Sequence, residues 1–271
     1  MSAPAILASL LDFRRLDQLA IEDSAAHRLD ARAKVIVTLV FIVCVMSFGR
    51  YEIARLLPFF AFPIVVIALA RLPAALILRK TTLVLPVALL IGLPNPLFDR
   101  DVLLEVGGFG IAGGWVSMLS IVLRALLAAT ASVVLVAVTG FPQICGALER
   151  LGMPRPLAVQ LLFLYRYLGV LGEEALRMCY AYDLRSNGRS LSISHYGMLI
   201  GRLLMRTWDR AERIYLAMCA RGFTGEFITG VPTRFGATEW RFVVACIVLF
   251  VVLRTQDVAQ RLGTAALGVL S

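Results

Sequence analysis

Lysine is nearly absent from this chain of 271 residues, where Lys34 and Lys80 are the only two among 27 basic side chains. A phosphate-binding loop needs a lysine preceded by glycine and followed by serine or threonine. Lys34 follows Ala33 and Lys80 follows Arg79, so nucleotide binding of that kind is excluded. The pairs Gly107-Gly108 and Gly113-Gly114 lead into no phosphate-loop pattern either. Histidine is as scarce, at two residues, His27 and His195. With no HExxH, no HxxxH and no Cys/His cluster, no metal-ligand spacing can be recognised. The five cysteines (Cys44, Cys145, Cys179, Cys219, Cys246) are scattered without a CxxC, and their odd number argues against a disulfide framework. Met1 to Asp12 carries no basic region ahead of its apolar residues, so no cleaved signal peptide is expected.

Charge is also thin. Only 17% of residues are charged and 59% are hydrophobic, with a mean hydropathy of +0.83. Soluble domains carry about a quarter charged and about half apolar, so the composition is that of an integral membrane protein. The net charge of +9 is almost wholly arginine, and those arginines flank or interrupt apolar runs. Positive-inside topology explains them better than nucleic-acid binding does.

His27, Arg28, Asp30, Arg32 and Lys34 precede a first apolar run, Val35–Phe48. The next runs from Leu56 to Ala70 and holds Pro58 and Pro63. A basic loop is expected at Arg71, Arg79 and Lys80, then a third run, Thr81–Phe98, broken by prolines. The Gly-rich stretch Asp99–Gly114 is expected as an outer loop. Trp115–Thr139 is the clearest span, interrupted by Arg124 alone. A charge at that depth costs about 2.5–3.5 kcal/mol. Arg124 should therefore face protein or water, in a structural or functional role. A last apolar span covers Trp240–Leu253.

Residues 141–238 differ, with twelve basic and seven acidic residues and no clean span. Leu157–Arg185 sets Leu161, Leu164, Tyr165, Leu168 and Leu171 on one helical stripe, with Glu173 and Arg177 as an expected i,i+4 pair. Ser194–Arg221 sets Leu199, Ile200, Leu203, Trp208, Ala211 and Tyr215 opposite a basic edge of Arg202, Arg206, Arg210 and Arg213. Such helices suit a membrane surface on the cytoplasmic side, with a partner against them. Both end on arginine, at Arg185-Ser186-Asn187-Gly188 and at Ala220-Arg221-Gly222. Gly222 must close the second, because glycine accepts the left-handed conformation. Spacing alone favours two ordinary helix caps.

These motifs carry a resemblance. His27-Arg28-Leu29-Asp30-x-Arg32-x-Lys34, Leu148-Glu149-Arg150-Leu151-Gly152-Met153-Pro154, Tyr165-Arg166-Tyr167 and Ala217-Met218-x-Ala220-Arg221-Gly222-Phe223 are similar to those of the transmembrane T component of energy-coupling factor transporters, cobalt/nickel type. The family's first Ala-Arg-Gly signature falls on Leu184-Arg185-Ser186, where only the arginine carries over. Ala31 stands where the family usually has proline.

The resemblance implies an all-α, L-shaped integral membrane protein with about five transmembrane helices and two or three long cytoplasmic coupling helices. The expected division is 1–140 with the first four spans, 141–238 as the coupling block, and 239–271 with the last span and tail. It implies a non-catalytic, multi-pass subunit of the cytoplasmic membrane. Arg185, Ser186, Ala220, Arg221 and Gly222 would dock onto two ATP-binding subunits. A substrate-binding S subunit, with a small accessory membrane subunit, would sit on the membrane side. No cofactor and no nucleic-acid partner is expected. The cargo implied is a transition-metal ion, cobalt ahead of nickel, with a vitamin third. The alternative of another class is an integral-membrane enzyme acting on lipid or peptide, using Arg124 and the Asp99–Asp101 loop.

Overall fold

The computed structural model describes residues 19–20, 24, 27–98, 102–106, 109–186, 193–223 and 235–255. The chain divides into two units, one of residues 19–140 with 232–271 and one of residues 141–231 with 1–18.

In the first unit, α1 (Ala31–Met46) starts on Asp30, whose carboxylate accepts the Arg32 amide at 2.8 Å. That bond satisfies one of the orphan amides at a helix start. The following helix is interrupted where the prolines predict it. It comprises α2 (Ile53–Leu56), a 3₁₀ turn Leu57–Phe60 containing Pro58, and α3 (Ala61–Leu69) with Pro63 in its first turn. Proline has no amide to donate, so the ladder tightens or restarts beside it.

The chain then turns through Arg71, which is left-handed at φ 53°. Its amide bonds the Ala68 carbonyl while the Leu72 amide bonds that of Ile67, the paired closure that usually uses glycine. From there α4 (Ala74–Thr81), a 3₁₀ turn Thr82–Val84 and α5 (Leu85–Gly92) form one broken rod. Here the expectation needs correcting. Arg79 and Lys80 lie in the last turn of α4 rather than in a loop, since Leu76, Ile77 and Leu78 extend the helical run backward and Ile77 is buried. A short α6 (Asn95–Phe98) follows.

The expected loop 99–114 contains a short hairpin within an otherwise helical set of described residues. Strands β1 (Val102–Val106) and β2 (Phe109–Ala112) pair antiparallel, Val106 facing Phe109 and Glu105 facing Gly110. The sequence between them is Gly107-Gly108, a dipeptide suited to a two-residue hairpin.

Next comes α7 (Gly113–Thr139), 27 residues long, or about 40 Å. It and the 19-residue rod Ala74–Gly92 are each long and apolar enough to cross a bilayer. Helix α11 (Ala237–Thr255) completes the unit. Its core gathers Ala33, Val37, Phe41, Val45 and Phe48 with Leu56, Phe59, Leu127, Ala131, Val243 and Phe250. Phe41 is central, its ring 4.8 Å from Phe62, 5.4 Å from Phe250 and 6.0 Å from Phe59.

The second unit begins with α8 (Phe141–Arg150), closed by Gly152 at φ 111°. Pro154 and Pro156 then open α9 (Arg155–Arg185), proline being accepted in a first turn. The Phe141 and Tyr165 rings stack at 4.8 Å to hold α8 on α9. Helix α10 (Ile193–Ala220) runs back along α9. Leu176 and Cys179 of α9 are buried against Leu199 of α10.

Candidate functional site

The candidate site is built from the ends of α9 and α10. At the end of α10 the Gly222 amide bonds the Cys219 carbonyl and the Phe223 amide bonds that of Met218, each at 3.0 Å. Gly222 has φ 77°, while a Cβ placed there would meet nothing within 4 Å. Glycine is thus required by backbone conformation, not by crowding. Arg221 is consequently the cap residue, one position beyond the last turn of the helix, and it is exposed, as Ala220 is.

The first tip closes differently. Arg185 is the last helical residue and is exposed. Ser186 keeps right-handed geometry at φ −83°, its amide bonding the Tyr182 carbonyl at 2.8 Å. The Ser186 hydroxyl reaches the Asp183 carbonyl at 3.3 Å. Asn187 and Gly188 lie outside the described residues. Among the described residues, no carboxylate pairs with Arg185 or Arg221.

The helices run antiparallel, as three contacts establish. Tyr182 lies against His195 with ring centroids 5.2 Å apart, Glu174 pairs with Arg206, and Phe163 lines a groove with Met218. Arg185 is about three turns beyond Glu174 and Arg221 about four turns beyond Arg206. The two arginines therefore sit at opposite ends of the helix pair.

The charge pattern along the pair also differs from expectation. The predicted Glu173–Arg177 pair does not form; Arg177 has no ion pair among the described residues. Glu174 instead reaches across to Arg206 of α10. The apolar positions of α10 are largely open, with Ile200 64%, Trp208 72% and Tyr215 62% exposed.

Arg124, on α7, donates to the Ser120 hydroxyl at 2.8 Å and to the Gly49 carbonyl just past α1. It faces protein. Arg254 of α11 reaches the Cys44 and Ser47 carbonyls at 3.4 and 3.3 Å, and lies over the Phe48 ring. Two cations from separate helices thus serve the carbonyl end of α1, where the helix dipole is negative.

Sequence reasoning missed this pairing and also the part played by Lys34. It is buried, and its ammonium donates to the His27 carbonyl at 3.2 Å and to Val138, in the last turn of α7, at 3.4 Å. His27 is itself pinned, Nε2 donating to the Leu19 carbonyl at 3.0 Å and Nδ1 2.7 Å from the Ser24 hydroxyl. The spacing Asp30-x-x-x-Lys34 was the available signal, since it sets both on one side of the first turns of α1. Among the described residues, no group of three or more His, Cys, Asp or Glu side chains is placed to hold a metal ion. Asp99 and Asp101 lie outside the described residues.

Residues 22–234 match the profile of a family described as "CbiQ: Cobalt transport protein". The energy-coupling factor transporter transmembrane protein EcfT of Bacillus subtilis is 26% identical over 218 residues, covering 74% of this chain and 82% of that one. Nickel permease LarQ of Lactiplantibacillus plantarum is 31% identical over 108 residues, covering 40% of this chain and 38% of its own. An uncharacterized protein of Methanocaldococcus jannaschii, MJ1571, is 26% identical over 211 residues, 74% and 72% of the two chains.

Proposed function

The chain belongs to the CbiQ cobalt transport protein family, and on that premise we propose that it is the coupling subunit of an ATP-driven metal importer. It is a membrane transport component resembling EcfT and LarQ. In this reading it performs no chemistry itself. Two ATP-binding subunits would hydrolyse ATP, and a substrate-binding membrane subunit, with a small accessory one, would carry the ion. Cobalt is the first cargo to test, nickel the second. The chain would be multi-pass in the cytoplasmic membrane, with residues 141–238 inside.

The observation that carries the proposal is the placement of two exposed, unpaired arginines at opposite ends of one antiparallel helix pair. A guanidinium offers five donors in a rigid fork, so one tip can hold several carboxylate or carbonyl oxygens. Opposite ends suit two docks on two separate ATPase subunits. When those subunits close, the pull on each tip is transmitted along a helix to whatever rests on α9 and α10.

Removing one partner of a buried, hydrogen-bonded charge pair costs about 2–5 kcal/mol. Arg185→Ala and Arg221→Ala should each lower uptake strongly while leaving part of the ATPase bound. The double Glu variant should release it, because like charges then face each other. Cobalt and nickel uptake in cells, read beside pull-down of the ATPase, tests this. Wild-type uptake with ATPase retained by the double Glu variant would refute the docking role.

A further inference from the structure

Between α9 and α10 lie two grooves of opposite character. One, with a volume of about 330 Å³, is walled by Phe163, Leu164, Tyr167, Ile214, Tyr215 and Met218. The other, of about 140 Å³, is walled by Glu174, Arg206, Asp209, Arg210 and Arg213. Leu171, Thr207 and Arg210 line both, so the apolar trough opens into the cationic one.

We infer that this composite groove binds one anionic phospholipid, its acyl chain in the trough and its phosphate on Arg210 and Arg213. The trough follows α10 from Thr207 to Met218, about 16 Å. That length, roughly half of the 30 Å hydrocarbon thickness, is about that of one acyl chain.

Charge selects the headgroup. Glu174 is committed to Arg206, whereas among the described residues no carboxylate lies in ion-pair range of Arg210 or Arg213. Asp209 is exposed and pairs with neither. Two free guanidinium groups at the mouth of an acyl-sized trough suit a phosphodiester; a zwitterionic headgroup would set its own cation among them. The basic edge and open apolar side of α10 are those of a helix lying at a membrane surface. The inference rests on that placement and not on the cargo or the ATPase docks.

The test is native mass spectrometry of the purified, delipidated full chain in detergent, titrated with phosphatidylglycerol or with phosphatidylcholine of the same chains. Phosphatidylglycerol should bind about ten-fold more tightly. Arg210→Gln combined with Arg213→Gln should erase that preference while leaving weak binding of both. Ala211→Trp, at an exposed position in the trough wall, should weaken both lipids without unfolding the chain. Size-exclusion elution checks folding in each case. Equal binding of the two lipids to the wild type would overturn the inference, as would a preference surviving the double Gln variant. Unchanged binding in Ala211→Trp would place the lipid elsewhere. Displacement of phosphatidylglycerol by inorganic phosphate at equal concentration would reduce the site to an anion site. None of these readouts involves transport, so failure here leaves the coupling proposal standing.

Discussion

At the residue scale, two cations behave in ways that charge counting does not anticipate. Lys34 is buried and its ammonium donates to two carbonyls, one at the free end of α7. Lys34→Met keeps the stem and removes the ammonium, leaving both oxygens short of a partner. A buried polar group stripped of its partner costs about 1–3 kcal/mol, so the thermal midpoint in detergent should fall. An unchanged midpoint would mean that water replaces the lysine without loss. Arg71 is the opposite case. It sits at φ 53° where the closure of α3 asks for glycine, and left-handed geometry costs an L-residue about 1–2 kcal/mol. Arg71→Gly should therefore raise stability by about 1 kcal/mol against the entropy it adds to the unfolded chain. A destabilised Arg71→Gly would show that the guanidinium makes a compensating contact.

At the element scale, the first unit is held by aromatic rings shared between helices. Phe41 of α1 touches Phe59 of the 3₁₀ turn, Phe62 of α3 and Phe250 of α11. It is fully buried. Truncating such a residue removes its burial and leaves a cavity, for about 3–5 kcal/mol. Phe41→Ala should release α11 from the unit, seen as faster proteolysis within residues 232–236. Phe41→Leu, which keeps most of the volume, should retain most of the protection. Equal proteolysis of wild type and Phe41→Ala would assign the hold on α11 to Arg254 instead.

At the scale of the whole molecule, the topology is open to direct measurement. Tyr51 is 43% exposed beyond the end of α1, and Leu184 is 86% exposed at the end of α9. If the basic block faces the cytoplasm, Tyr51→Cys should react with a membrane-impermeant maleimide on intact cells. Leu184→Cys should react only after permeabilisation. The native cysteines are replaced by serine or alanine beforehand. Labelling of Leu184→Cys from outside would reverse the orientation and remove the ATPase docks with it.

What the sequence determined by itself was whatever depends on local chemistry. Apolar composition placed the chain in a membrane class, prolines located the 3₁₀ breaks, and Gly222 announced its left-handed closure, because each effect acts within a turn or two. Arg124 was legible as a residue facing protein for a similar reason, since burying a lone charge in lipid costs too much. Tertiary structure decided what depends on distant partners. The Glu173–Arg177 spacing was right for an ion pair, yet Glu174 found Arg206 across the helix pair instead. The Lys34 contact joins residues 104 positions apart, and Arg254 reaches back 207 and 210 positions to α1. Hairpin β1–β2 was hidden because its strands are short and their stretch carries loop-forming glycines. The placement of Arg185 and Arg221 at opposite ends came from the antiparallel return of α10, which no pattern within either helix encodes.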